Sequence, residues 1–440
     1  MAAPRFGTDG IRGRAFDELS TDLAFAIGRA AASVLGGSDA VIGADTRESG
    51  PALRDAIAAG LIAGGVRPLD LGVAPTPAVA FTAAARGAIG VMISASHNAW
   101  HDNGIKLFSS TGSKLSDDEQ AAIEAELADA ALATPPALDG PLASIQPDVG
   151  AWVDEVVASA RGRLDGLTVV VDAANGAASH VVAPALADLG ADVTVLFNTP
   201  DGRNINDACG STHPEALAAA VVERGADVGI ALDGDADRLL CVDHAGRVIN
   251  GDHLMAIIAT DLRRRGALSD DVVVVTVMSN LGFHKAMEAA GVTVEVTPVG
   301  DRHILDALSV NGWSFGGEQS GHLIFRDLAV TGDGFLSAVQ LLSVLADTGT
   351  PLAELADAAM TSFPQVLRNV RIAERVADPT VAIADDIAAA EAELGDHGRV
   401  LIRASGTEPV IRVMVEAATD ADAERICAQL CEAVTAHHGG

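Results

Sequence analysis

The run Asp233-Gly234-Asp235-Ala236-Asp237-Arg238 sets three carboxylates at alternate positions and follows them with a fixed positive charge. Apolar stretches over residues 228–232 and 239–242 flank it, which predicts a loop between two strands. Alternate residues of an extended backbone point to one side, so the three acids are expected to converge. Uncompensated carboxylates at one point repel, and a hard cation is the expected resident. The calcium-binding helix-loop-helix does not fit. Its loop needs Gly at position six and Glu at twelve, where this chain has Arg238 and His244.

Three further loops carry groups that could work beside such a cation. The apolar run 89–93 ends in Ser94-Ala95-Ser96-His97-Asn98, where a hydroxyl stands next to an imidazole and could act as a nucleophile. It lacks the G-x-S-x-G elbow of the Ser-His-Asp hydrolases. Lys106, just downstream, can return to this loop as a cation or a proton carrier. Gly316-Gly317-Glu318-Gln319-Ser320-Gly321-His322 offers a carboxylate and a hydroxyl suited to the vicinal hydroxyls of a sugar. Arg403-Ala404-Ser405-Gly406-Thr407-Glu408-Pro409, with Arg412 beyond it, reads as an anion cradle. It has no P-loop lysine, so no nucleotide is inferred. Near the start, Phe6-Gly7-Thr8-Asp9-Gly10-Ile11-Arg12-Gly13 packs glycines around an arginine. Taken singly, each of these is also an ordinary polar turn. Together they supply a metal, a serine, a sugar reader and a phosphate clamp, the parts of a phosphoryl transfer on a phosphosugar.

The elements that must hold these loops are legible from periodicity. Strands are expected over 40–43, 167–171, 192–196, 272–277 and 292–296, and helices over 21–35, 51–62, 117–133, 213–222 and 252–265. The strands are near-continuous apolar runs, so burial on both faces and an α/β class are expected. A Pro-rich stretch over 134–141 and Pro364 mark breaks in the rhythm. The reading is three similar mixed-sheet α/β domains, over 1–140, 141–250 and 251–362, plus a small α+β domain over 363–440. One polar loop falls in each domain, which suggests a central cleft where the four meet.

At 440 residues the chain is long enough for several domains. Its 29 Lys and Arg against 60 acids give a formal charge of −31, a surface expected to repel nucleic acid and anionic membrane. Any phosphate site must then be locally basic. Four scattered cysteines, with no paired framework, fit a reducing cytoplasm. The first residues lack an apolar signal core, and no apolar run approaches the ~20 residues of a membrane span.

With all four loops present in order, the chain resembles the α-D-phosphohexomutases from Phe6 to Arg412. The opening 6–13, Asn204-Ile205-Asn206, Cys209-Gly210-Ser211-Thr212 and Gly300-Asp301-Arg302 lean toward the branch acting on glucosamine phosphates. The sister branch acting on glucose and mannose phosphates shares the four-loop plan and stays open. The resemblance implies that Ser96 is phosphorylated in the active form, and that one Mg²⁺ sits among Asp233, Asp235, Asp237 and the Ser96 phosphate. It implies that Glu318 and Ser320 read the sugar. Arg403, Ser405, Gly406, Thr407 and Arg412 would clamp phosphate, and Arg12, His97, Lys106 and Arg238 would line the reaction centre. The implied reaction interconverts glucosamine 6-phosphate and glucosamine 1-phosphate through a 1,6-bisphosphate. Lys106 and His97 are both open as the general acid or base, and monomer and homodimer are both open as the assembly. Ala99 stands where the family's loop has a proline, and Pro298 where many relatives have lysine.

Overall fold

The computed structural model describes residues 5–7, 9–129, 132–374, 376–405 and 409–439. The chain divides into two compact units, one of residues 1–278 and 292–358, the other of residues 279–291 and 359–440.

The larger unit holds three mixed sheets. The first has six strands in the order Ile11–Arg14, Asp102–Phe108, Ile89–Ile93, Asp39–Ala44, Arg67–Val73, Ala143–Ser144. The second runs Val248–Ile249, Leu239–Asp243, Val228–Leu232, Thr168–Asp172, Asp192–Leu196. The third runs Thr293–Thr297, Val272–Thr276, Phe315–Gly317, Leu323–Phe325. In each sheet, one central strand is parallel to its inner neighbour and antiparallel to the strand that follows it in sequence. Ile89–Ile93 pairs parallel with Asp39–Ala44 and antiparallel with Asp102–Phe108. Val228–Leu232 and Phe315–Gly317 repeat the pattern. The polar loops singled out from sequence are the connections of these hairpins, so the same device presents the serine, the carboxylates and the sugar reader.

Helices start where side chains can cap them. Ser20 accepts the Leu23 N–H ahead of Thr21–Leu35, and Asn250 caps Gly251–Arg264. Thr21–Leu35 and Gly50–Ala63 pack closely, because a Cβ at Gly28 or Gly60 would meet the other helix's backbone within 2.3 Å. They bury Leu23, Ile27, Leu53 and Ile57 with the first sheet's Ile42, Val91 and Ile105.

Two strands depart from the expected two-sided burial. Asp192–Leu196 is only partly buried, and Thr293–Thr297 is mostly exposed. Each is the last strand of its sheet, and an edge strand keeps a solvent-facing side however apolar its sequence. The α/β pattern was legible, but edge position was not.

The smaller unit is a three-stranded antiparallel sheet, ordered Gln365–Arg371, Val410–Glu416, Arg399–Ala404, packed with the helices Ala384–Leu394 and Asp420–His438. The helix Leu281–Ala289 belongs to the same unit. Buried Glu416 accepts from the Leu281 N–H at 2.8 Å and from Arg399 Nε at 2.8 Å, tying helix to sheet. Among the described residues, no single helix is long and apolar enough to cross a membrane. All four cysteines are free thiols.

Candidate active site

The strand Ile89–Ile93 is wholly buried, and its end delivers Ser96 into the interior of the larger unit. Ser94 sets the turn: its Oγ accepts the Ser96 N–H at 2.9 Å and donates to Asp45 Oδ2 at 2.6 Å. Ser96 itself holds a left-handed backbone, φ 53°, costly for a residue with a Cβ. Its Oγ donates to Asp233 Oδ2 at 2.5 Å and lies 3.2 Å from His97 Nδ1. The sequence pairing of serine and carboxylate, 137 positions apart, is thus a direct contact.

Asp233, Asp235 and Asp237 do converge, all three buried, with ligand oxygens within 4.8 Å of one another. The cause differs from the expected extended alternation. The loop is a tight turn, closed by the Ala236 N–H on the Asp233 carbonyl, with Ala236 at φ 58°. Gly234 is required here. A Cβ would come within 2.6 Å of the Ser96 carbonyl oxygen, so the carboxylate turn lies directly on the serine loop. Thr76, opening the helix Thr76–Arg86, fixes Asp235 by donating its hydroxyl to Oδ2 at 2.6 Å.

These residues fit a divalent cation. Asp235 Oδ1 and Asp237 Oδ1 are buried without a hydrogen bond among the described residues. Burial, together with Asp237 and Asp235 beside it, holds the Asp233 carboxyl well above the usual carboxylate range. A cluster of hard oxygens with orphaned lone pairs is the donor set that Mg²⁺ takes.

Lys106, buried on the strand Asp102–Phe108, reaches the same acids. Its Nζ lies 2.7 Å from Asp235 Oδ2, 3.0 Å from Asp237 Oδ2 and 2.6 Å from Asp9 Oδ2. Burial alone would favour the neutral amine, but the three carboxylates more than offset it and keep the ammonium well above its ordinary pKa. His97 is the opposite case. Burial, Arg238 and Arg12 push it down to about 4, so it is a neutral imidazole near pH 7. Arg12 pairs with Asp9 at 2.5 Å and donates to the Ala95 carbonyl at 3.3 Å. The backbone N–H of Arg238 donates to Asp233 Oδ1 at 3.2 Å, and its Nε lies 3.8 Å from Asp237 Oδ1.

Four residues here were not singled out as site residues from sequence: Asp9, Lys114, Asp301 and His322. Lys114 Nζ bridges Asp9 Oδ1 at 2.6 Å and Asp301 Oδ2 at 2.5 Å. His322 stands 3.2 Å from Asp301 Oδ2 and 3.7 Å from Asp237 Oδ1. Burial disfavours the charged ring, but Asp301 and Asp237 raise its pKa to about 10. Asp237, Lys106, Asp9, Lys114, Asp301 and His322 thereby close a ring of alternating charge. Asp9, Asp301 and His322 lay inside motifs quoted from the sequence; nothing local marked Lys114.

Glu318 and Ser320 lie on the connection between Phe315–Gly317 and Leu323–Phe325. Ser320 Oγ is 3.4 Å from Glu318 Oε2, and Glu318 Oε1 accepts the Gly300 N–H at 3.2 Å. In the smaller unit, Arg403 and Arg412 are directly opposite on neighbouring strands. Neither shows an ion pair with a carboxylate among the described residues, and burial with the facing Arg412 lowers the Arg403 pKa. Ser405 is buried and its N–H donates to the Val410 carbonyl at 2.8 Å. Gly406 and Thr407 lie outside the described residues.

Models of the phosphoglucomutase/phosphomannomutase family match nearly the whole chain, with alpha/beta/alpha domain I over residues 3–133, domain II over 151–246, domain III over 250–363 and the C-terminal domain over 365–433. The chain belongs to this family of phosphohexomutases, isomerase-type phosphotransferases. Phosphoglucosamine mutase of Frankia alni is 50% identical to it over 448 residues, 98% of each chain. That of Rhodococcus jostii is 48% identical over 439 residues, again 98% of each. The crystal structure of a phosphoglucomutase/phosphomannomutase family protein from Burkholderia thailandensis matches with a TM-score of 0.80 at 28% identity, covering 98% of this chain and 97% of that one.

Proposed function

We infer that the chain interconverts glucosamine 6-phosphate and glucosamine 1-phosphate, the activity named in relatives about half identical over nearly their full length. The observation that carries the mechanism is the buried Ser96 hydroxyl held 2.5 Å from Asp233 within the carboxylate triad. Phosphorylated Ser96 gives its phosphoryl group to the sugar O1: the serine P–O bond breaks, a P–O bond to O1 forms, the O1 proton leaves to a base, and the departing Ser96 Oγ takes up a proton to become a hydroxyl again. The resulting 1,6-bisphosphate turns over, and its 6-phosphoryl group returns to Ser96 by the reverse step.

Asp233, Asp235 and Asp237, with a phosphoserine oxygen, would hold Mg²⁺, whose charge offsets that on the phosphoryl oxygens. Around the transferring group, Arg12, Arg238 and Lys106 supply fixed positive charge in a buried setting, the arrangement expected to contribute most to rate. The His97 imidazole, neutral beside Ser96 Oγ, is able to accept a proton. Glu318 and Ser320 would take the sugar hydroxyls. Arg403, Ser405, Gly406, Thr407 and Arg412 would take whichever phosphate is not reacting. On this reading the domains 1–140, 141–250, 251–362 and 363–440 each carry one of these loops. A small anionic substrate and scattered free thiols suit work in the cytoplasm.

The test is turnover of glucosamine 6-phosphate with Mg²⁺ beside glucose and mannose 6-phosphates, for the natural chain and Ser96→Ala. Preference for the amino sugar, lost in Ser96→Ala, is the expected result. Preference for a neutral hexose would move the enzyme to the sister specificity, and turnover by Ser96→Ala would remove the phosphoserine.

A further inference from the structure

Arg47 has the largest fully buried side chain of the described residues. It follows the strand Asp39–Ala44, and its guanidinium uses all five N–H donors. Nε donates to Asp45 Oδ2 at 2.8 Å. Nη2 donates to the carbonyls of Ser96 at 3.0 Å and Asn98 at 2.8 Å. Nη1 donates to the carbonyls of Ala99 and, at 2.9 Å, Asp102. From the second sheet's side, Asn206 Nδ2 donates to the same two carbonyls, Ser96 at 2.9 Å and Asn98 at 3.0 Å. Asp45 closes the arrangement through Ser94, whose hydroxyl accepts the Ser96 N–H.

We propose that Arg47 and Asn206 are positioning residues, a two-sided clamp on the carbonyls of residues 96–102 that fixes Ser96 for phosphoryl transfer. The inference rests on Ser96 being the phosphoryl carrier. A serine with positive φ relaxes toward ordinary backbone unless its flanking peptides are held. Both Ser96-flanking peptides are held here: the N–H by Ser94, the carbonyl by Arg47 and Asn206 together. Through Nη1 the hold extends beyond the serine, to the carbonyls of Ala99 and Asp102. The bonds of both side chains to this loop go to backbone carbonyls and not to Ser96 Oγ, so the clamp is expected to govern placement more than substrate affinity.

Arg47→Lys keeps the charge but has at most three donors without the planar fork, and cannot serve five acceptors. The measurement is steady-state kcat and KM with glucosamine 6-phosphate, single-turnover transfer from bisphosphate-primed Ser96, and Tm, for Arg47→Lys, Asn206→Ala and Ser96→Ala. Expected is a fall in kcat of about 100-fold for Arg47→Lys and about tenfold for Asn206→Ala, matched in the single-turnover rate, with KM within about threefold. If Arg47→Lys fails to fold, Asn206→Ala carries the test alone. A folded Asn206→Ala with natural kcat, or with its loss confined to KM, overturns the clamp while a dead Ser96→Ala leaves the reaction standing. Turnover by Ser96→Ala overturns the carrier assignment and the clamp with it.

Discussion

Lys114 Nζ sits 2.5 Å from Asp301 Oδ2, joining the segment just after the strand Asp102–Phe108 to the helix Asp301–Asn311. Both side chains are about nine-tenths buried, so neither charge has water to fall back on. Lys114→Met leaves Asp9 and Asp301 without this counter-ion. It is expected to destabilise the larger unit by about 3–5 kcal/mol, the scale for breaking a buried ion pair from one side. Denaturant unfolding of the two proteins under one set of conditions measures it; an unchanged midpoint would remove the bridge from the list of stabilising contacts.

Asp235→Asn removes one charge from the triad while keeping the volume and the Thr76 contact in place. Apparent Mg²⁺ affinity should fall by about tenfold to a hundredfold, with the maximal rate falling too. Activity titrated against Mg²⁺ tests this, and coincident curves for the two proteins would take Asp235 out of the metal site.

Arg403 and Arg412 face each other without a carboxylate among the described residues. Arg412→Gln should raise KM for either hexosamine phosphate by about tenfold to a hundredfold, since a charge-assisted hydrogen bond contributes roughly 1.5–3 kcal/mol. The same variant should make the ligand-free protein slightly more stable, by about 0.2–1 kcal/mol, because like charges directly opposed on a sheet destabilise it. Kinetics and a melting curve without phosphate read the two effects separately. Unchanged KM would refute the clamp role.

Asp172 is buried at the end of its strand, accepting N–H groups from Gly210 and Ala174 at 2.8 Å each. Burial outweighs those bonds and pushes its carboxyl up to about 6. The unfolded chain releases this proton near pH 4, so between about pH 4 and pH 6 the folded protein binds more protons than the unfolded. The contribution therefore favours folding below pH 4 and is lost as pH rises through 6. Asp172→Asn should gain on the natural chain by on the order of 3 kcal/mol between pH 4 and pH 7. A stability difference flat across that interval would contradict it.

Much of this molecule could be read from one chain. The β-branched runs and Gly-bounded turns predicted the hairpins, and the helix Thr21–Leu35 and strand Asp192–Leu196 fall where periodicity placed them. Local pattern stops at contacts made by topology. Alternation suggested that Asp233, Asp235 and Asp237 share a side, but their convergence depends on the positive φ of Ala236, which no propensity for alanine signals. Arg47, between Thr46 and Glu48, carries no mark of its role in the sequence around it. Its five acceptors come from residues 45–102, and their carbonyls carry no trace in side-chain identity. Edge strands such as Thr293–Thr297 were misjudged for the same reason: sequence gives a strand's apolarity and not its neighbours.

The closed ring of alternating charge has a consequence in time as well as space. Its members run from Asp9 to His322, so the first counter-charges made must wait for the last. On a ribosome, the segment holding Asp9, Lys106 and Lys114 emerges with its ammonium groups short of carboxylates until Asp237 and then Asp301 arrive. Assembly of the reaction centre is thus delayed until about three-quarters of the chain has been synthesised, and such long-range closure is slow.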